Sequence, residues 1–373
     1  KIEDLDLVIR RFELTTRPAF EMKRGDWTEL DEVLALNLPE GKIRALPMLL
    51  EALHKHAAVD MVEVNETVSL DRPNGSGTQP APPTTPSVND PDIVQQWTYF
   101  ALNFEEFYQL IQDKKVRPRK KVRLAIIDTG VDGTHEDLAE HFTASRPEYG
   151  IDPHGHGTHC AGIAAAVCNN GKGIASLAFS NEFIEIISIR VFDESGRSSQ
   201  ERIVDGMMEA VDMGCTVLSM SLGGPINTET QFIYSQAVQY AQRHGAIVVV
   251  AAGNESMDAA ERAPAGVKGV ITVAAIGSNL QKADFSNDVS RLTMPICAPG
   301  VDIHATLPAN SYDALSGTSM ATPYVASLVA MLKAVRPSLT TEQAHKILHE
   351  TGKDISPSTG KLIQPAAALR KVL

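Results

Sequence analysis

Val122-Arg123-Leu124-Ala125-Ile126-Ile127-Asp128-Thr129-Gly130 is a short, nearly continuous apolar run that stops at a carboxylate and a turn. A run of this length and composition fits a strand buried on both faces. Similar runs follow at Ile184–Val191, Val217–Met220, Ile247–Ala252 and Val270–Ala275, with helical stretches between them. The alternation predicts an α/β fold, a doubly wound and mostly parallel sheet with helices on both faces. In such sheets ligands gather beyond the carboxyl ends of the strands.

Upstream the pattern changes. Residues 1–66 read as a small α+β unit: a β-like run at Asp6–Leu14, a strand at Val33–Leu38, a helix near Ile43–His56 and an alternating run at Val59–Val64. So short a segment buries little core of its own. Residues 67–95 include Asp71-Arg72-Pro73-Asn74-Gly75-Ser76-Gly77 and Pro80-Ala81-Pro82-Pro83-Thr84-Thr85-Pro86, and read as an extended linker. A helical stretch at residues 98–112 then docks against the rest.

The net charge of −12 argues against nucleic acid or an anionic membrane as the main partner. No apolar run approaches bilayer-spanning length. Cys160, Cys168, Cys215 and Cys297 have neither disulfide nor zinc spacing and read as buried thiols. A start at Lys1 reads as a fragment or processed form. The compartment is left unspecified.

Four polar residues stand at the expected edge of the sheet. Asp128 ends the first strand, where a carboxylate needs partners; an Asx turn is the plain reading. Asp-Thr-Gly is also the aspartic-protease signature, but those enzymes pair two carboxylates and no second such triplet exists here. His156 lies between Gly155 and Gly157 in Asp152-Pro153-His154-Gly155-His156-Gly157-Thr158-His159-Cys160, placed as a general base at a helix start. His159 reads as structural. Asn254 follows Ala251-Ala252-Gly253 and offers a neutral amide donor of the kind an oxyanion wants. Ser319, in Gly317-Thr318-Ser319-Met320-Ala321-Thr322-Pro323, opens an apolar helix, where it reads both as a cap and as a nucleophile beside a helix N-terminus.

In this order the segments resemble the subtilisin-like serine proteases, the subtilases of peptidase family S8, whose triad runs Asp, His, Ser along the chain. The resemblance covers about residue 96 to the end, so that residues 96–373 form the peptidase domain. It implies a serine endopeptidase with Ser319 as nucleophile, His156 as general base and then acid, Asp128 orienting His156, and Asn254 in the oxyanion hole. It also implies a peptide or protein substrate held as an added strand between Ser221-Leu222-Gly223 and Gly196-Arg197-Ser198. Ala251, Ala252 and Gly253 wall the first specificity pocket. Arg262 falls at the pocket's base, implying an acidic or polar residue before the cut; the competing reading pairs it with Glu261 or Glu255 and turns it to solvent. Arg197 and Ser198 stand where many relatives have smaller residues, implying a narrower or more polar entry.

No cofactor is required by the resemblance, which admits structural calcium at Asp137 and Asn169, although Lys172 brings the wrong charge to that loop. Cys160 is similar to a thiol beneath the catalytic histidine in the proteinase K-like branch. The helix near 43–56 and the run after it are similar to the end of a subtilase propeptide, implying intramolecular inhibition by residues 1–66; a permanent regulatory domain is the competing reading. The alternative for the whole chain is a catalytically silent binding scaffold of the same fold.

Overall fold

A computed structural model describes residues 2–20, 28–70 and 87–373. Helix α1 (Ile2–Phe12), strands β1 (Thr15–Pro18) and β2 (Leu34–Asn37), and helix α2 (Leu46–His54) make the N-terminal unit. The strands pair antiparallel. Its core is its own: Phe12, Leu14, Leu49 and Leu53, with Leu5, Val8, Ile9, Val59 and Val62 packed on it. The expected β-like run at Asp6–Leu14 is therefore mostly α1. Leu5, Val8, Ile9 and Phe12 recur at helical spacing, and that period outweighs the apolar content. Val59–Val64 forms no strand either; Val59 and Val62 lie on the unit's core without a ladder partner.

The linker expectation also needs correction at its ends. Thr67–Ser69 is strand β3, paired antiparallel with Arg197–Ser199. Pro91–Gln95 is a short 3-10 turn. The proline-rich centre, residues 71–86, lies outside the described residues.

The predicted helical stretch forms α3 (Trp97–Ala101) and α4 (Phe104–Asp113). Tyr99, Phe104, Phe107 and Tyr108 bury their rings there. Tyr108 also donates its hydroxyl to the Ser176 carbonyl at 2.5 Å.

The sheet begins with β4 (Val122–Asp128) and β5 (Phe142–Ala144), followed by α5 (His156–Ala165), β6 (Ile184–Arg190), β7 (Arg197–Ser199) and α6 (Gln200–Asp212). Next come β8 (Val217–Met220), β9 (Gly224–Pro225), α7 (Thr228–Arg243), β10 (Ile247–Ala251), β11 (Arg262–Ala263) and β12 (Ile271–Ile276). The chain closes with β13 (Pro295–Pro299), the hairpin β14 (Ile303–Leu307) and β15 (Ser311–Leu315), then α8 (Thr318–Val335) and α9 (Thr341–Thr351). Last are β16 (Lys353–Ser356), β17 (Gly360–Leu362) and α10 (Pro365–Arg370).

Nine strands lie in the order β5-β6-β4-β8-β10-β12-β13-β17-β16. Only β16 runs antiparallel to its neighbour. Helices α5 and α8 pack on each other over one face, and α6 with α7 cover the other. All 18 residues of α8 are buried, as its uniformly small and apolar composition predicts. The strand order reverses at β4, which sits between β6 and β8. That reversal opens a crevice at its carboxyl end, and Asp128 is the residue there. No helix among the described residues is long and apolar enough to cross a membrane.

Candidate active site

Asp128 and His156 are each 1% exposed. Nδ1 of His156 lies 2.7 Å from Asp128 Oδ1; a carboxylate only accepts, so Nδ1 carries the proton. The Thr129 N–H donates to the same oxygen at 2.8 Å. Nε2 is thereby the basic nitrogen, buried and without a partner. Burial alone pushes this imidazole's pKa down, but the Asp128 carboxylate, together with Cys160, more than reverses the effect and holds it well above the ordinary histidine value.

The loop that delivers His156 is built on Asp152, whose part the sequence reading did not recognise. Its Oδ1 accepts from Thr129 Oγ1 and the Gly155 N–H, both at 2.8 Å. Its Oδ2 accepts from the N–H and hydroxyl of Thr158 in the first turn of α5. The readable signal was an aspartate just ahead of a helix start. Gly157 allows the helix to approach: a Cβ there would strike the Gly130 carbonyl oxygen.

Ser319 is not a cap. Gly317 takes the N-cap position, with no side-chain cap bond. Ser319 Oγ instead donates to the Ser221 carbonyl at 3.1 Å, and Ser221 Oγ donates to the Ser319 carbonyl at 2.8 Å. The second bond has a cause in the sequence. Pro323 has no N–H to give the carbonyl four residues earlier, so Ser319 O is left open inside a buried helix. Ser221 fills it, helped by Cys160 Sγ at 3.6 Å. Cys160 also lies 3.9 Å from His156 Nδ1, so one thiol touches both residues.

Asn254 follows β10. Its Oδ1 accepts from the Thr318 N–H at 2.8 Å and from Thr318 Oγ1 at 3.0 Å. Thr318 Oγ1 in turn accepts from the Gly253 N–H at 3.1 Å. With Oδ1 fixed by two donors, Nδ2 remains as the group to bind an anion. Nothing in the sequence pattern singled out Thr318 for this.

Beside Ser319 lies a small cavity lined by Ser221, Leu222, Gly223, Ala251, Ala252, Gly253, Glu255 and Arg262, with Ser69, Leu70, Asn254 and Thr318 also on its wall. Arg262 ion-pairs with Glu255 but is only 15% exposed. The pairing half of the competing reading holds; the turn to solvent does not. Gly196 stands on the opposite wall, where its carbonyl accepts the Leu70 N–H at 3.1 Å. Residues 67–70 of this chain thus lie along β7, with Val68 buried opposite Ser198. The Arg197 side chain turns away to Ser195 and Asp193, so it does not narrow the entry.

The metal expectations fare less well. Asp137 is buried, but its Oδ1 accepts from Asn170 Nδ2 at 2.8 Å and its Oδ2 from the Ile174 N–H at 2.9 Å. Asn169 engages elsewhere: its Oδ1 accepts from the Asn89 N–H and its own N–H goes to Asp90. Lys172 pairs with Glu136. A donor set already spent on N–H groups, next to a lysine, does not fit calcium. We expect the thermal inactivation half-life to be the same with and without EDTA; a severalfold shortening would reveal a cation site elsewhere. His159 is structural as expected, donating to the Asp313 carbonyl at 3.2 Å, and burial pushes its pKa down to about 3. Among the described residues only Asp128, His156 and Cys160 cluster closely enough to suggest a metal, and Asp128 already occupies Nδ1.

Known proteins with this arrangement place the chain. Residues 119–364 match the Subtilase family, peptidase S8. The chain belongs to the subtilases. It is 41% identical over 218 residues to thermitase of Thermoactinomyces vulgaris, covering 56% of this chain and 74% of that protein. It is 36% identical over 243 residues to subtilisin DY of Bacillus licheniformis, covering 64% and 85%. Among solved structures, proteases from Pseudoalteromonas arctica PAMC 21717 superpose with a TM-score of 0.66 at 27% identity, over 78% of this chain and 100% of theirs. A cold-adapted subtilisin-like serine proteinase superposes with a TM-score of 0.56 at 30% identity, over 65% and 87%. As a subtilase the chain is a serine endopeptidase of α/β fold that binds peptide substrates.

Proposed function

We propose that peptide bonds are cut through an acyl-enzyme on Ser319. His156 takes the hydroxyl proton at Nε2 and later gives it to the leaving amine. Asp128 holds the tautomer and stabilises the imidazolium. Asn254 Nδ2 and the Ser319 N–H receive the oxyanion. The reading is carried by the buried Asp128–His156 bond, which leaves Nε2 without a partner, together with a Cys160 thiol that lies against both His156 Nδ1 and the Ser319 carbonyl. Attack requires Oγ to leave the Ser221 carbonyl, and a substrate N–H that claims this acceptor frees the hydroxyl.

A fluorophosphonate labels the protein, and Ser319→Ala abolishes labelling; a folded protein that takes no label speaks for the scaffold. Asn254→Ala lowers kcat by about 10²–10³ with KM little changed, the scale for one oxyanion donor; steady-state kinetics on a peptide ester reads it.

Residues 1–66 act in this proposal as an inhibitor in cis. The support is the segment directly after this unit, β3, seated as an added strand along Gly196 and Ser198. The unit also reaches the adjacent helices: Arg17 pairs with Glu201 at 2.6 Å, Asn65 Oδ1 accepts from the Glu201 N–H at 3.3 Å, and Thr230 donates to Glu63 at 3.3 Å. Mass spectrometry of incubated protein decides between the two fates of this unit. Autolysis within 67–97 marks a propeptide, and a chain that stays intact while active marks a permanent domain.

A further inference from the structure

We propose that the cavity beside Ser319 takes an acidic side chain, so that this enzyme cuts after aspartate or glutamate, with Arg262 as the residue that recognises it. The proposal rests on the serine-protease reading above and adds the substrate class.

Arg262 is held firmly. It lies on β11, paired with Pro225 of β9, directly after the wall formed by Ser221, Leu222 and Gly223. Its guanidinium keeps its charge in any environment and carries five donors in a fixed fork. One terminal nitrogen is taken by Glu255. Nε is buried and has no acceptor. Glu255 cannot turn to supply one without a loss, because its other oxygen accepts from Asn287 Nδ2 at 2.7 Å. A pocket walled by a mostly buried guanidinium penalises an apolar occupant, which would desolvate that charge without supplying a partner. A carboxylate satisfies it and adds a charge-assisted bond. Glu255 shares the wall and offsets part of this charge, so the preference is set by the donors that Arg262 has left over.

The chain's own strand points the same way. Val68 is buried opposite Ser198, the Leu70 N–H bonds Gly196, and Ser69 and Leu70 line the cavity. The next residue in the sequence is Asp71, which lies outside the described residues.

The test gives the full chain, incubated until its N-terminus is constant, peptides of the form Val-Ser-Leu-X with one common leaving group. X is Asp, Glu, Leu or Phe, at low and high salt. We expect Asp and Glu to exceed Leu and Phe at least tenfold in kcat/KM, with the margin shrinking in high salt. Arg262→Gln reverses the order while still taking a fluorophosphonate, which shows that the variant is folded. Should that variant not fold, the parent's preference and its salt dependence decide alone. A new N-terminus at Arg72 supports the proposal. Preference for Leu or Phe in the parent, or an acidic preference that survives in labelled Arg262→Gln, overturns it and leaves the protease reading intact. No cleavage of any peptide together with no labelling overturns both.

Discussion

Asp128→Asn lowers kcat by roughly 10⁴, the scale for losing a triad carboxylate, and moves the acid limb of the pH–rate profile to lower pH. The two effects share a cause. In the parent the Asp128 carboxylate fixes the Nδ1–H tautomer at 2.7 Å and holds the His156 pKa above the ordinary histidine value against the pull of burial. Protonated His156 cannot accept a proton from Ser319, so activity rises with pH through that raised value. Asparagine carries no charge, so the largest effect opposing burial is lost and the limb falls. It also offers an NH₂ group that can hold the wrong tautomer. Measuring kcat/KM from acid to neutral pH on both proteins reads size and direction. An unchanged limb would mean that another group titrates there.

Tyr108→Ala costs about 3–5 kcal/mol of stability, the range for emptying a large aromatic site in a core, whereas Tyr108→Phe costs about 1–2. Tyr108 lies on α4, upstream of residue 119 where the family match begins. Its ring packs near Phe104 and Phe179, with centroids 6.0 and 5.5 Å away, and its hydroxyl holds the Ser176 carbonyl. Through Phe104 the same cluster reaches Tyr324 on α8, the helix that carries Ser319. Since a protease digests its own unfolded chains, the half-life at raised temperature is the proper measurement. A half-life equal to the parent's would show that α3 and α4 are an ornament on the domain rather than part of its core.

The central sheet was legible because β4, β6, β8, β10 and β12 are predominantly apolar runs whose residues are mostly buried, a signal that survives without tertiary context. Strands β5, β13, β16 and β17 were not: they are short, and β13 begins and ends in proline. Pairing at the edge of a sheet places them, which no local pattern records. Asp128, His156 and Asn254 were readable because each follows a strand or opens a helix at the edge where ligands gather. Asp152 and Thr318 were hidden because their work is to hold other residues, and their partners are distant in sequence. At Asp6–Leu14, apolar content suggested a strand where the three-four spacing of Leu5, Val8, Ile9 and Phe12 meant a helix. The cap expected of Ser319 failed for a reason present in the sequence: with Pro323 four residues on, its carbonyl needed Ser221, and its hydroxyl paired in return.

The strand β3 has a kinetic consequence. A segment of the same chain meets the groove at an effective concentration set by its tether and not by how much protein is in solution. Dilution therefore leaves occupancy of the groove unchanged, and removal of β3, where its own active site performs it, would proceed at a first-order rate independent of protein concentration. A neighbouring molecule that did the cutting would give a rate rising with concentration. Under the inhibition in cis proposed above, an outside peptide would compete only when it exceeds that local concentration, and the uncut chain would stay silent amid dilute substrate.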